Sequence, residues 1–467
     1  MDDGIMHVLM LPWLAFGHMI PFLHLSIALA KAGIRVSFIT TPRNIQRLPQ
    51  IPHHLSHLIT FGELPLAAVN GLPEGAEATV DILEGSDECL KKAFNLSFPA
   101  FEQFIANKHP DWIIHDFFPC WTSGIAKQFG IPHVVFSIFS GAALAFVGPF
   151  DGVVGDGQMK AWPSAESLVK PPRWLDFKTS VAMAPHETSG FYDGMFKPDA
   201  TGLSSLDHSV LALEGSAAMA IRSCTEFEGQ FLNCLKKLHQ RPIIPIGLLP
   251  PTPPQPEKSE REDPGWAKTF RWLDQQPPKS VVFVGFGSEC KLSKDQVREI
   301  AHGLELSSLP FLWALRKPVW AANDRASSIL PPEFENQIGV RGMICIGWAP
   351  QLEISAHPAI GGSLFHAGWS SIIETLQHGH VAVVLPLANC QTLDARHLVD
   401  EGLAIQVQVN RDGSFHRDVI ARSLRRAMIE EEGQKLRRRA MEMKHVFGDQ
   451  KLHQDYINRF IDFLKSK

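Results

Sequence analysis

Short apolar runs alternate with longer runs of helical spacing along most of the chain. Residues 7–12 (HVLMLP) read as a buried strand, and residues 21–31 (PFLHLSIALAK) as a helix that Gly33 can stop. Residues 36–40 (VSFIT), 112–115 (WIIH), 134–137 (VVFS) and 217–222 (AAMAIR) continue the strand series. Strand, helix, strand in this order predicts parallel βαβ units. Between about 149 and 206 the periodicity fades and Gly, Pro and Asp accumulate, which predicts long loops and short helices.

A break follows. Residues 250–265 (PPTPPQPEKSEREDPG) hold six prolines and a charge cluster, which predicts a linker or exposed loop, not a core element. The alternation then restarts with strands expected at 280–284, 311–315, 343–346, 362–365 and 381–385. The tail from 437 to 467 has strong helical character. The pattern therefore predicts an α/β protein with two Rossmann-like domains facing across a cleft. The expected division is 1–248, a linker 249–265, 266–448, and a C-terminal helix 449–467 packing back on the first domain. In such open sheets ligands bind at the carboxyl ends of the strands.

Composition narrows the class without naming it. The 467 residues are 45% hydrophobic and 20% charged, ordinary values for globular proteins. A net charge of −5, with both signs interspersed, argues against nucleic acid or an anionic membrane as partner. The seven cysteines are scattered and none forms a Cys-x-x-Cys pair. That reads as reduced thiols, not a disulfide framework or a zinc site. The N-terminus is acidic and its apolar run is broken at Pro12, unlike a signal peptide. No apolar run approaches the ~20 residues of a membrane helix. The expectation is a cytoplasmic protein, monomeric by default.

The most informative stretch is 348–391, WAPQLEISAHPAIGGSLFHAGWSSIIETLQHGHVAVVLPLANCQ. Its fixed residues are Trp348-Ala349-Pro350-Gln351, His357-Pro358, Gly361-Gly362, His366-x-Gly368-Trp369-x-Ser371, Glu374, Pro386 and Gln391. This pattern resembles the signature box of plant secondary-product UDP-glycosyltransferases. The N-terminal PWLAFGHMIPFLHL and the run FITTPRNIQRLP resemble the branch that often adds a sugar to an existing glycoside. The resemblance spans essentially the whole chain and implies the GT-B fold, a UDP-sugar donor and a small lipophilic acceptor or glycoside.

The box also makes physical sense residue by residue. Trp348 offers a flat apolar face to a uracil ring, with Ala349 and Gln351 beside it, and Glu374 can accept hydrogen bonds from two ribose hydroxyls. Residues 366–371 follow a strand and open a helix, so His366, Gly368, Ser370 and Ser371 would surround a diphosphate at a positive helix end. Ser288, in the Gly285-Phe286-Gly287-Ser288 turn, could hold a phosphate as well. The resemblance implies that Trp369 and Gln391 contact the donor sugar. Two departures matter. The family usually has an acidic residue just before the closing Gln; here it is Cys390, a weak hydrogen-bonding group. The family's Cys and Asn within His-Cys-Gly-Trp-Asn-Ser are here Ala367 and Ser370. UDP binding survives these changes, while the sugar stays open, with rhamnose or xylose as alternatives to glucose.

His18 and Asp116 each follow a strand, on the crevice side. A histidine backed by a carboxylate suits the removal of a proton from an acceptor hydroxyl, and the family's catalytic His and Asp fall on these positions. Read alone, His18 could equally cap a helix and Asp116 could be an N-cap. His115 is a rival that strand alternation turns the other way. No Asp-x-Asp pair occurs in the chain, so no metal and no other cofactor is expected. Phe16, Phe117, Phe118, Trp121, Phe139, Phe146, Met195 and Phe196 are candidates for the acceptor pocket, about half of them expected to line it and the rest to be core. A dehydrogenase would need Gly-x-Gly-x-x-Gly after the first strand, where this chain has Trp13-Leu14-Ala15-Phe16-Gly17-His18. A non-catalytic UDP-sugar binder has Cys390 as its only support, and the presence of both His18 and Asp116 argues against it.

Overall fold

The computed structural model describes residues 4–82, 87–150, 162–252, 263, 265–287, 289–321, 329–388 and 390–467. Two parallel sheets organise them. The first contains β1 (His7–Leu11), β2 (Arg35–Thr40), β3 (Ile59–Glu63), β4 (Trp112–His115), β5 (His133–Ser137), β6 (Ala218–Ile221) and β7 (Ile243–Pro245). Its strand order is β3-β2-β1-β4-β5-β6-β7. The second contains β8 (Val281–Gly285), β9 (Phe311–Leu315), β10 (Gly342–Ile346), β11 (Ile360–Phe365), β12 (Val381–Val384) and β13 (Ala404–Gln406), in the order β10-β9-β8-β11-β12-β13. Every strand pairing in both sheets is parallel. The central strands are buried along their length, as expected for sheets covered on both faces by helices. This is the GT-B arrangement of two Rossmann-like domains.

Hydrophobic runs located the buried central strands, and the weakly patterned edges escaped. β3 reads ITFGE, while β7 and β13 have three residues each, too short to show a period. The first helix runs Phe16–Lys31 and not from 21, so Pro21 lies inside it and His18 sits in its first turn. Pro21 forgoes one backbone hydrogen bond, and the helix continues through it because its face is buried by Met19, Phe22, Leu25 and Leu29. Of the stretch 149–206, residues 151–161 lie outside the described residues, and a helix at Thr188–Phe196 occupies part of the rest. The expected linker likewise falls largely outside them, at 253–262 and 264.

The tail forms two helices, Gly433–Phe447 and Gln450–Lys465, with Gly448 between them. Asp449 caps the second by accepting from the Lys451 and Leu452 N–H groups. Ile457, Phe460, Ile461 and Leu464 pack into the core of the first sheet beside Phe22, Trp112 and Ile246. The Trp112 indole N–H donates to the Leu464 carbonyl at 3.2 Å. A second apolar cluster joins the two domains: Phe227 and Leu248 meet Trp369, Ile373 and Phe447 there. All seven cysteines are free. No helix among the described residues is long and apolar enough to cross a membrane.

Phe460 is fully buried where the tail meets the first domain. Phe460→Ala should destabilise the protein by about 3–5 kcal/mol through lost burial and a residual cavity. A urea midpoint indistinguishable from that of the parent would show that the tail does not hold this domain.

Candidate active site

The two sheets have the same internal order, and each reverses its winding between the third and fourth strands of that order. In the first, the reversal lies between β1 and β4; in the second, between β8 and β11. Such switch points open crevices at the carboxyl ends of the strands. His18 follows β1 and Asp116 follows β4. Gly285 ends β8 and residues 366–371 follow β11. One cavity of about 2010 Å3 is lined by residues from both crevices. That exceeds the roughly 300–1,000 Å3 of an ordinary small-molecule site and suits two substrates at once.

His18 Nδ1 lies 2.7 Å from Asp116 Oδ2. Asp116 is 1% exposed, and backbone donors fix it: Trp13 N–H reaches Oδ2 at 3.1 Å and Phe117 N–H reaches Oδ1 at 2.8 Å. A carboxylate held this way selects the tautomer with hydrogen on Nδ1 and leaves the Nε2 lone pair to the cavity that His18 lines. Neither residue caps a helix. The first helix has Ala15 at its N-cap, and the helix after Asp116, Thr122–Phe129, has Trp121. His115 is buried, with Nε2 2.9 Å from His133 Nδ1 and Nδ1 2.8 Å from the Asp116 carbonyl oxygen. Burial and the neighbouring His133 hold its pKa well below the usual histidine value.

Across the cavity, Trp348 follows β10 and is 68% exposed, with Trp266 edge-on behind it at 5.9 Å. Gln351 Nε2 donates to Glu374 Oε2 at 2.6 Å. Burial raises the Glu374 pKa against the opposing effects of that bond and the Arg222 charge. Gly287 (φ 71°) and Gly368 enclose the His366 ring. A Cβ at either would lie 2.9 Å and 2.6 Å, respectively, from ring atoms of His366, so only glycine fits at both places. Burial lowers the His366 pKa to about 4, so the ring is neutral near pH 7. Its Nδ1 has no hydrogen-bond partner among the described residues. Ala367 has φ 64°, a left-handed conformation that turns the chain from β11 into the helix Trp369–Leu376. Ala349, Gln351, His366, Gly368, Ser370, Ser371 and Glu374 line the cavity with Trp348. Ser288 lies outside the described residues.

The structure divides the remaining candidates. Phe16, Phe117, Phe139 and Met195 line the cavity, with Phe117 and Phe139 ring centroids 6.1 and 5.7 Å from that of His18. Phe118, Trp121, Phe146 and Phe196 do not. Phe118 stacks on His208 at 4.3 Å, Trp121 packs on Phe101 at 5.1 Å, Phe146 on Trp162 at 4.7 Å and Phe196 on Tyr192 at 4.8 Å. Strand ends supply both pocket and core aromatics, and a sequence pattern cannot separate them. Trp369 lines the cavity but is 6% exposed, and its indole N–H is committed to the Arg222 carbonyl at 2.8 Å. Cys390 and Gln391 also line it, the Gln391 Oε1 accepting from Leu387 N–H at 3.0 Å.

Two residues here escaped the sequence reading. Asp394 lies one helical turn beyond Cys390, lines the same cavity and accepts a hydrogen bond from Ser140 of the first domain. Burial and the nearby Glu228 raise its pKa well above the usual carboxyl range. Its i+4 spacing from Cys390 was a legible signal. Arg222 follows β6 and reaches Ser370 across the domain boundary; a charged residue at a central strand's carboxyl end was the available clue.

A family model described as UDP-glucoronosyl and UDP-glucosyl transferase matches residues 260–453. A soyasaponin III rhamnosyltransferase of Glycine max is 40% identical over 467 residues, covering 99% of this chain and 96% of the relative. The chain belongs to the plant family-1 UDP-glycosyltransferases. UDP-glycosyltransferase 91C1 of Arabidopsis thaliana is 38% identical, covering 100% of this chain and 98% of the relative. Among solved structures, a UDP-glucosyltransferase from Polygonum tinctorium, in complex with 3,4-dichloroaniline, superposes with a TM-score of 0.78 at 24% identity, covering 99% of both chains. This UDP-glycosyltransferase therefore has the family's fold as well as its sequence signature.

Trp348→Ala and Glu374→Ala should each weaken UDP binding without sugar or acceptor present. Loss of stacking or of a charge-assisted hydrogen bond typically costs about 1–3 kcal/mol, or roughly 5–150-fold in affinity. Calorimetric titration with unchanged affinity in both variants would refute this placement of base and ribose.

Proposed function

We propose that this enzyme transfers the sugar of a UDP-sugar, glucose in the first reading, to a hydroxyl of a small lipophilic acceptor or its glycoside, inverting the anomeric carbon. The observation that carries this reading is the shared cavity. The His18–Asp116 pair faces it from one domain, and the Trp348–Glu374 surface and the helix beginning at Trp369 face it from the other. In the proposed step, His18 Nε2 takes the proton from the acceptor hydroxyl. The oxygen attacks the anomeric carbon, and the bond from that carbon to the UDP oxygen breaks. Asp116 orients the ring and stabilises the imidazolium. UDP leaves with its charge supported by the N–H groups of the helix start and by Ser370 and Ser371. An α-D-glucosyl donor would give a β-linked product.

Phe16, Phe117, Phe139 and Met195 give the acceptor side an apolar wall beside His18, which suits a flat terpenoid, steroid or phenolic body. The 40% identical relative is a rhamnosyltransferase whose name specifies a saponin, which supports a glycoside acceptor. Glucose is the first reading of the donor. Cys390 favours a second, rhamnose or xylose, because it packs against the apolar cluster of the first domain and offers sugar hydroxyls no carboxylate at that position. A metal-free mechanism follows from the helix start together with the missing Asp-x-Asp pair.

His18→Ala should lower kcat by about 10²–10⁴-fold while UDP affinity stays near that of the parent. Near-normal turnover in this variant would remove His18 from the chemistry. Turnover should also survive exhaustive chelation; complete loss with EDTA, restored by Mn²⁺ or Mg²⁺, would overturn the metal-free reading. Values of kcat/KM across UDP-glucose, UDP-galactose, UDP-xylose and UDP-rhamnose decide the donor, and a clear preference for glucose would dismiss the second reading.

A further inference from the structure

Arg222 is 1% exposed, at the boundary between the domains. A buried guanidinium is costly unless an opposite charge or a full set of hydrogen bonds compensates it. Its Nε donates to the Leu248 carbonyl at 2.7 Å, its Nη2 to the Leu249 carbonyl at 3.3 Å and its Nη1 to Ser370 Oγ at 2.7 Å. No carboxylate among the described residues is in ion-pair contact with it. Burial lowers its pKa to about 10 against the opposing charge of Glu374, which acts from beyond ion-pair distance, and Arg222 stays charged at neutral pH. Burial together with the Arg222 charge pushes the nearby His24 down to about 3, so no second positive charge stands beside the guanidinium.

Arg222 also holds the residue before Ser370. Its carbonyl accepts the Trp369 indole N–H at 2.8 Å. The first two residues of the helix Trp369–Leu376 are thus both latched to one residue of the opposite domain. Because Ser370 Oγ accepts from the guanidinium, its own hydrogen is free to donate. Ser370 lines the cavity. A hydroxyl donor backed by a full positive charge therefore stands beside the free N–H groups of the helix start.

We propose that Arg222 is a positioning residue for the leaving diphosphate, fixing Ser370 as a hydrogen-bond donor to it and supplying a buried positive charge that this anion compensates. The proposal rests on the donor placement given under Proposed function. Because Arg222 comes from the acceptor domain and Ser370 from the donor domain, charge stabilisation in the transition state depends on the two domains being seated together. The competing account makes Arg222 only a strut for the carbonyls of Leu248 and Leu249. A strut would affect every ligand of the donor site alike.

The test uses Arg222→Met, which removes the charge at similar volume, and Arg222→Lys, which keeps it. UDP affinity is read by calorimetric titration, that of uridine by competition, and kcat with the best donor of the panel. Arg222→Met should weaken UDP about 10–100-fold, change uridine by no more than about twofold, and lower kcat; Arg222→Lys should recover part of the UDP affinity. In a Ser370→Ala background the loss of UDP affinity caused by Arg222→Met should shrink. Equal losses for UDP and uridine, or a lysine variant no better than the methionine one, would overturn the proposal. If Arg222→Met does not fold, Ser370→Ala alone decides: an unchanged preference for UDP over uridine refutes the relay. A parent that binds neither UDP nor uridine overturns the donor placement and this proposal with it. A parent that prefers UDP, with the preference intact in Arg222→Met, overturns this proposal alone.

Discussion

A parallel sheet built outward from its centre in both directions must reverse its winding once, and at that point the loops leave its edge to opposite sides. Everything functional in this enzyme depends on that constraint being met twice. The β1/β4 reversal sets His18 against Asp116, and the β8/β11 reversal sets Gly287 against the chain around His366. Strand ends are rigid because their other ends lie in the sheet core. The groups that hold short distances therefore sit on the stiffest positions available, while the aromatic wall beside His18 comes from flanking loops and helices.

Facing two such sheets requires a seam that is not uniformly apolar. Part of it is a packed cluster of Phe227, Leu248, Trp369 and Phe447. The rest is a row of hydrogen bonds crossing the cleft: Thr79 to Glu289, Ser140 to Asp394, Ser180 to Asp400, Thr392 to Glu187 and Arg222 to Ser370. Apolar contact supplies association without direction, whereas hydrogen bonds of fixed length define one alignment. The tail helix Gln450–Lys465 fastens the second domain's chain to the first domain's core.

The interior also controls charge state. His366 and His115 are kept neutral by burial, so histidine positive charge is not available from either. Asp394, one turn beyond Cys390 in the cavity wall, is pushed the other way, its pKa raised by burial and the nearby Glu228.

The sequence determined the α/β class and the central buried strands through apolar runs of strand length, and it marked the box at 348–391 by residue types at fixed short spacing. It offered His18 and Asp116 only as two strand-end residues joined by a family resemblance; that they stand 2.7 Å apart was decided by the fold. It did not determine the edge strands β3, β7 and β13, whose brevity and single buried face leave little periodicity. It could not say which aromatics line the cavity, because Phe117 and Phe118 are neighbours in the chain and only the turn after β4 sends one to the cavity and the other onto His208. The tertiary structure alone decided the contacts between residues distant in sequence: Arg222 with Ser370, Ser140 with Asp394, and Trp112 with Leu464. Nothing local encodes such pairs, since their distances are set by how two independently formed sheets come together.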